Sequence, residues 1–166
     1  MSIFYGIIFY MKDFNKIYKE IYKNNKYKKL NKVVHHGSNR LDHIKRVSIM
    51  SFYISRFLKL DYVSCTRGAL LHDFFDSSDL RRSRGKYNSF LHEHPSIALD
   101  NSKKYFKINS KEEDIILHHM YPVVKGRPKY IESKVVSICD KLVSVYEFFR
   151  FEPKLMVYLF ILFINS

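Results

Sequence analysis

The sequence predicts an all-α fold in which one compact bundle of long helices accounts for the whole chain. The 166 residues include only 5 glycines and 4 prolines, which is roughly half the average usage of these turn-forming residues. Few turn residues favour a small number of long helices over many short strands. Apolar residues also recur at steps of three and four, the spacing of one helix face. No linker or internal repeat divides the chain, so residues 1–166 are expected to form a single domain.

Three helices are expected in the first half of the chain. The first lies within residues 12–32, where Ile17 and Ile21 are four residues apart and eight lysines supply a solvent face. A third, over residues 62–75, is a mostly apolar run that ends in polar residues. Between them, residues 40–58 are expected to form the second helix, because apolar residues recur there at helical spacing: Val47, Met50, Ile54 and Phe57.

Three more helices are expected in the second half. The fourth covers residues 95–105, with its proline suited to the first helical position. The fifth, residues 110–119, opens with Ser110 and Glu113, which have the spacing of a capping box. The sixth covers residues 131–149. Two polar segments without periodicity are expected to be loops, namely residues 76–89 and 121–129.

The net charge of +13 favours an anionic partner, because clustered Lys and Arg attract phosphate groups. Nucleic acid is the weaker interpretation, since no nucleic-acid-binding motif accompanies the charge. A nucleotide-composition bias toward Lys, Asn, Ile, Tyr and Phe codons would produce the same charge. A basic surface suits a small phosphorylated substrate, such as a nucleotide, equally well.

Both ends of the chain are apolar but short. Residues 1–11 and 155–164 fall well below the roughly 20 residues that span a bilayer, and no signal peptide is recognisable. We expect these ends to cover a core or to contact a second copy of the chain, which is consistent with a homodimer and with no membrane partner. The two cysteines, Cys65 and Cys139, cannot form a disulfide framework, and this favours a cytoplasmic protein.

Six titratable residues lie on the apolar faces or at the ends of separate predicted helices: His43, His72, Asp73, His94, His119 and Asp140. Burying such groups without partners is costly. Each one alone has an ordinary structural explanation, but convergence on divalent metal explains them all, because imidazole and carboxylate are ligands of such ions. The lack of usable thiolates favours an open metal site over a closed structural zinc site. His118 is an alternative to His119, and helix phase favours His119.

The order of these residues resembles that of the HD-domain metal-dependent phosphohydrolase superfamily, which is named for its His-Asp pair. The chain is most similar to small uncharacterised HD proteins of low-GC bacteria. The resemblance covers residues 40–147 and rests on five short runs: Arg40-Leu-Asp-His, Leu70-Leu-His-Asp-Phe-Phe, His94-Pro, His119-Met-Tyr-Pro and Asp140-Lys. The pair alone is a weak signal, whereas the full ordered set is specific.

This resemblance implies a role for each residue. His43, His72, Asp73 and Asp140 match the quartet that holds a first metal ion. His94 and His119 match the extra histidines of two-metal members, in which Asp73 would bridge both ions. The expected cofactors are therefore two divalent ions, with Fe, Mn, Ni, Zn and Mg not distinguished.

The implied reaction is hydrolysis of a phosphate ester, in which a metal-bound hydroxide attacks phosphorus. Asp73 and His72 are the expected catalytic residues, together with Lys141, which either holds a phosphate oxygen or only screens Asp140. No Gly-Tyr-Pro follows His119, and this disfavours the cyclic dinucleotides and alarmones that larger relatives hydrolyse.

Several charged residues near the expected site have two interpretations each. A basic loop follows the His-Asp pair and would either hold substrate phosphate or be solvated: Arg81, Arg82, Arg84 and Lys86. Arg40 and Arg46 flank His43 and would face either the anion or solvent. Glu147 shares a helix face with Asp140 and would orient a ligand histidine or pair with a lysine. Two other functions stay open, a non-catalytic nucleotide-binding or nucleic-acid-binding protein and a di-iron oxygenase.

Overall fold

The architecture is all-α, as the sequence predicts, with one short β-ladder. The computed structural model describes residues 2–35, 38–76, 78–79 and 90–151. Strand β1 (Val34–His35) pairs antiparallel with β2 (Ser38–Asn39). The helices, in chain order, are α1 (Ser2–Tyr22), α2 (Asn25–Lys28), a 3₁₀ helix (Lys29–Lys32), α3 (Arg40–Phe57), α4 (Tyr62–Leu71), α5 (Phe90–Tyr105), α6 (Ser110–His118) and α7 (Ile131–Phe151).

Helix α4 lies at the centre of the packing and contacts α1, α3, α5, α6 and α7. Leu70 and Leu71 belong to a core cluster shared with α1 and α5, whereas Ala69 belongs to a second cluster shared with α3, α6 and α7. A Cβ added at Gly68 would lie only 2.7 Å from Cγ2 of Ile115, so α4 and α6 approach more closely than a larger residue allows. The C-terminal end of α4 is therefore packed against the surrounding helices.

Two predicted helices end earlier than the sequence pattern indicates. The single helix expected over residues 12–32 is wrong, because α1 ends at Tyr22. The Asn24 side chain then caps α2 by accepting hydrogen bonds from the backbone N–H groups of Lys26 (2.9 Å) and Tyr27 (3.1 Å). An Asn side chain competes in this way with a continuous helix. The helix expected over 62–75 ends at Leu71. Neighbouring side chains of an α-helix point in different directions. His72 and Asp73 can therefore face the same point only if the helix gives way to a turn before them.

One predicted helix start and one predicted capping box are also wrong. Helix α5 begins at Phe90, so Pro95 lies inside it rather than at its first position. Proline keeps a helical φ but removes one hydrogen bond and crowds the preceding turn, so the continuation of α5 through Pro95 depends on tertiary packing. The capping box of α6 uses Asn109 and Glu112, one residue earlier than Ser110 and Glu113. Asn109 also donates from Nδ2 to Oγ of Ser64 (3.0 Å), which favours it as the cap.

Helix α1 is attached to the bundle through its two acidic residues. Asp13 binds Arg56 and Glu20 binds Arg67, each across 2.6 Å. Among the helices that the structure describes, none combines the length and the apolar character that crossing a bilayer requires. The apolar segment 155–164 lies outside the described residues, as does the basic loop that carries Arg81, Arg82, Arg84 and Lys86.

Candidate metal centre

Five helices or helix ends bring the six predicted ligands into one buried cluster. α3 supplies His43, the turn after α4 supplies His72 and Asp73, α5 supplies His94, the end of α6 supplies His119, and α7 supplies Asp140. None of the six side chains belongs to a residue more than 7% exposed. The sequence places these residues up to 97 positions apart (His43 to Asp140), so their convergence is a property of the tertiary fold.

The cluster contains two overlapping groups of three ligands. His43, His72 and Asp73 present ligand atoms that all lie within 4.8 Å of one another, and so do Asp73, His94 and His119. In the second group, Oδ1 of Asp73 lies 3.8 Å from Nε2 of His94 and 3.7 Å from Nε2 of His119. Asp73 is the member that the two groups share.

Asp140 completes the first group. Its Oδ1 lies 3.1 Å from Nε2 of His43 and 3.6 Å from Nε2 of His72. The first group with Asp140 therefore contains two imidazoles and two carboxylates, which is a donor set that suits divalent transition metals.

Backbone carbonyls fix the orientation of two of the imidazoles. Nδ1 of His72 donates to the carbonyl of Ala69, and Nδ1 of His119 donates to the carbonyl of Ile116, each across 2.7 Å. A neutral imidazole that donates from Nδ1 carries its lone pair on Nε2. Both Nε2 lone pairs therefore point into the cluster, as metal ligation requires.

The electrostatics of the cluster keep Asp73 ionised and His119 neutral. Burial alone would raise the pKa of Asp73, but the nearby His72, His94 and Arg40 side chains hold that pKa well below its usual value. Burial, with further contributions from His72 and His94, lowers the pKa of His119 to about 3. A charged carboxylate and a neutral imidazole are the forms that bind metal.

Two buried atoms of the cluster lack hydrogen-bond partners among the described residues, Nε2 of His72 and Oδ1 of Asp73. A buried polar atom left unsatisfied costs about 1–3 kcal/mol, and more when it is charged. A divalent cation accepts electron pairs from both atoms, so the residues present fit a metal site. Two observations support a metal site here: the imidazole and carboxylate groups of the cluster, and these two unsatisfied atoms.

The comparison with protein families decides the classification. The family model described as HD domain matches residues 40–144, well over half of the chain. The chain belongs to the HD-domain family. Searches of curated proteins and of solved structures gave no significant match. HD domains are generally metal-dependent phosphohydrolases that bind divalent ions, and both three-ligand groups of this HD domain are of the kind that can hold such an ion.

Glu147 and Arg46 form a second layer around His43 in this HD domain. Nδ1 of His43 lies 2.9 Å from Oε2 of Glu147, and Nη1 of Arg46 donates to Oε1 of the same carboxylate across 2.6 Å. Burial opposes a charge on His43, but its bonds to Asp140 and Glu147 raise its pKa to about 9. Of the two interpretations that the sequence left for Glu147, the structure therefore supports contact with a histidine, His43, over pairing with a lysine.

Arg40 is buried next to Asp73. The Arg40 residue is only 5% exposed, and Nη1 donates to the carbonyl of Phe75 across 2.6 Å. Its guanidinium carbon lies 3.8 Å from the centre of the Phe75 ring, and Nε lies 4.0 Å from Oδ2 of Asp73. Arg40 therefore fixes the turn after α4 and places a positive charge beside the shared carboxylate. Periodicity could not indicate this, since Arg40 is the first residue of its helix.

His118 lies outside the cluster, although it is adjacent to His119. Its Nδ1 lies 2.8 Å from Oδ1 of Asp114. Oδ2 of Asp114 in turn accepts bonds from the backbone of Lys129 (2.9 Å) and from Oγ of Ser133 (2.6 Å). His118 thus belongs to a structural network that anchors the segment between α6 and α7.

Lys141 is engaged by backbone and hydroxyl oxygens. Its Nζ donates to the carbonyl of His119 (3.2 Å) and to the carbonyl and Oγ of Ser137 (3.1 and 2.9 Å). An ammonium group has three N–H donors, so these contacts account for all of them. In this arrangement Lys141 stabilises the turn that carries His119, and its catalytic role stays a prediction.

Replacing His119 and His118 separately tests which of them is a ligand. We expect His119→Ala to lose most of one bound ion per chain, because its Nε2 lone pair points into the cluster. His118→Ala is the matched control and is expected to keep the metal content of the unmodified chain while losing some stability. Elemental analysis of the purified variants measures both. Equal metal content in the two variants would contradict the assignment.

Replacing Glu147 by Gln tests the second layer. Loss of the carboxylate that orients His43 is expected to weaken metal binding about 10–100-fold, the usual effect of such partners. Competition with a fluorescent chelator measures the affinity, and Glu113→Gln is the control because Glu113 pairs with Lys103 on the surface, away from the cluster. An unchanged affinity in Glu147→Gln would show that Glu147 does not orient the ligand.

Proposed function

We propose that this HD-domain protein is a phosphohydrolase that cleaves a small phosphate ester or nucleotide at a two-metal centre. The observation that supports it most is the position of Asp73 in both three-ligand groups. A carboxylate shared in this way has one oxygen available for each of two ions. The donor set, with no thiolate, also suits an open catalytic site.

Each ion would have its own ligands in this proposal. The first would be held by His43, His72, Asp73 and Asp140, and the second by Asp73, His94 and His119. When bound, two divalent ions lower the pKa of a coordinated water and neutralise the charge of phosphate oxygens.

The remaining contributions come from the protein itself. The hydrogen bonds that Nδ1 of His72 and Nδ1 of His119 donate hold both rings in one orientation, so the rings do not have to rotate when an ion binds. Burial of the ligands strengthens their interaction with charge, because the local dielectric is low. Arg40 keeps Asp73 ionised from the side away from the histidines. We propose that the basic loop residues Arg81, Arg82, Arg84 and Lys86 contact the substrate phosphate, which the net charge of +13 also favours.

Phosphate release by the metal-loaded protein tests the proposal. The protein is supplied in turn with Mn, Fe, Ni, Zn or Mg and incubated with phosphomonoesters, phosphodiesters and dinucleoside polyphosphates. We expect metal-dependent turnover of at least one class, and a loss of at least about 100-fold in Asp73→Asn, since residues that only orient ligands already cost about 10–100-fold.

Asp100→Asn is the matched control, because Asp100 is an exposed aspartate on α5, and its turnover is expected to equal that of the unmodified chain. Two outcomes would contradict hydrolysis. One is tight nucleotide binding without turnover under any metal, which indicates a binding protein. The other is iron-dependent consumption of oxygen, which indicates an oxygenase.

A further inference from the structure

An apolar groove lies between α3 and α7, on the surface of the bundle. Its volume is about 600 Å³, and its walls are mainly the side chains of Ile49, Met50, Tyr53, Ile54, Leu142 and Tyr146. Leu142 is 53% exposed and Tyr146 is 49% exposed. Large apolar side chains that are half exposed side by side mark a surface that binds something.

The apolar surface continues from the groove along the last turns of α7. Val145, Phe148 and Phe149 on this helix are 53%, 39% and 41% exposed. The surface therefore extends to Phe149, two residues before α7 ends at Phe151.

The sequence that follows α7 has the composition to cover such a surface. Residues 155–164 read Leu-Met-Val-Tyr-Leu-Phe-Ile-Leu-Phe-Ile, ten apolar residues without a charge. We propose that this segment binds in the groove between α3 and α7. Two apolar surfaces would then cover each other, and the gain follows from the area that both remove from water.

The connection between the helix and the segment is short enough and has the right residue types. Glu152, Pro153 and Lys154 separate Phe151 from the segment. The residue before a proline is biased away from helical geometry, so the chain is expected to change direction there. Three residues span at most about 10 Å. Tyr146 lies five residues before the end of α7, about 7.5 Å along the axis, so the segment can reach the groove.

The covalent connection favours this segment over a second copy of the chain. A short linker gives an effective concentration in the millimolar range. A second copy would have to compete with a segment that is always present.

The groove shares its two helices with the candidate metal centre. Arg46 lines the groove and donates to Glu147, which contacts His43. A segment that covers the groove would hold α3 against α7 and shield the Arg46–Glu147 pair from water. The proposal itself does not depend on the hydrolase proposal, because it is tested without metal or substrate.

A single tryptophan in the groove wall tests the occupant. The chain contains no Trp, so Tyr53→Trp in the full chain is a unique fluorescent reporter. Two versions of it are compared, one otherwise unmodified and one with Phe160→Asp and Leu162→Asp. We expect the two added charges to shift the emission to longer wavelength and to raise quenching by acrylamide several-fold. Asn165→Asp with Ser166→Asp adds the same charge outside the apolar segment and is expected to change neither signal.

A change on the groove side provides the second readout. Leu142→Glu alters a half-exposed residue, so its circular dichroism is expected to match that of the unmodified chain. We expect trypsin to cleave after Lys154 at least about 10-fold faster in this variant, because losing the apolar contact of one leucine raises the population of the open segment by that factor or more.

Three results would overturn the proposal. The first is equal quenching in the two tryptophan versions, and the second is equal cleavage after Lys154 in the unmodified chain and in Leu142→Glu. The third is protection of the tryptophan from acrylamide that is absent at about 1 μM protein and appears by about 100 μM, together with a dimer in sedimentation. Such concentration dependence indicates that a second copy of the chain covers the groove.

Discussion

The burial of one carboxylate, that of Asp73, constrains the rest of the structure. The residue is 4% exposed, and its Oδ1 has no hydrogen-bond partner among the described residues. A buried ionised group is tolerated only when charge and donors surround it. Here Arg40 approaches one oxygen, and His94 and His119 approach the other. The ends of α4 and α6 and the start of α3 and α5 are therefore fixed relative to one point.

Residues around the cluster connect α7 and the segment after α6 to the predicted ligands. Glu147 connects α7 to His43 on α3, and Lys141 connects α7 to the carbonyl of His119. Asp114 and His118 hold the segment between α6 and α7 in place. Each of these contacts orients a predicted ligand or the turn on which a predicted ligand lies. A centre with pre-oriented ligands loses little free energy to reorganisation when it binds its ion.

Periodicity predicts the helices well because their buried faces are continuous, as in the run of α3 from His43 to Met50. Helix ends are less predictable where two residues compete for one role. Asn109 and Ser110 are both good caps, and only the bond from Asn109 to Ser64 decides between them. The ordered set of histidines and aspartates was enough to predict the HD family, which the family model confirms. The resemblance also implied that Asp73 is the shared residue, and Asp73 does belong to both three-residue groups. The sequence could not show that Arg40 is buried, because this depends on distances between helices.

The central claim is that Asp73 lies between two metal ions. Crystals of the protein grown with Mn²⁺ would test it directly through the anomalous signal of manganese. The account predicts two peaks about 3.5–4 Å apart, the usual separation in two-metal sites, with one oxygen of Asp73 next to each. A single peak, or peaks that do not contact Asp73, would contradict the account.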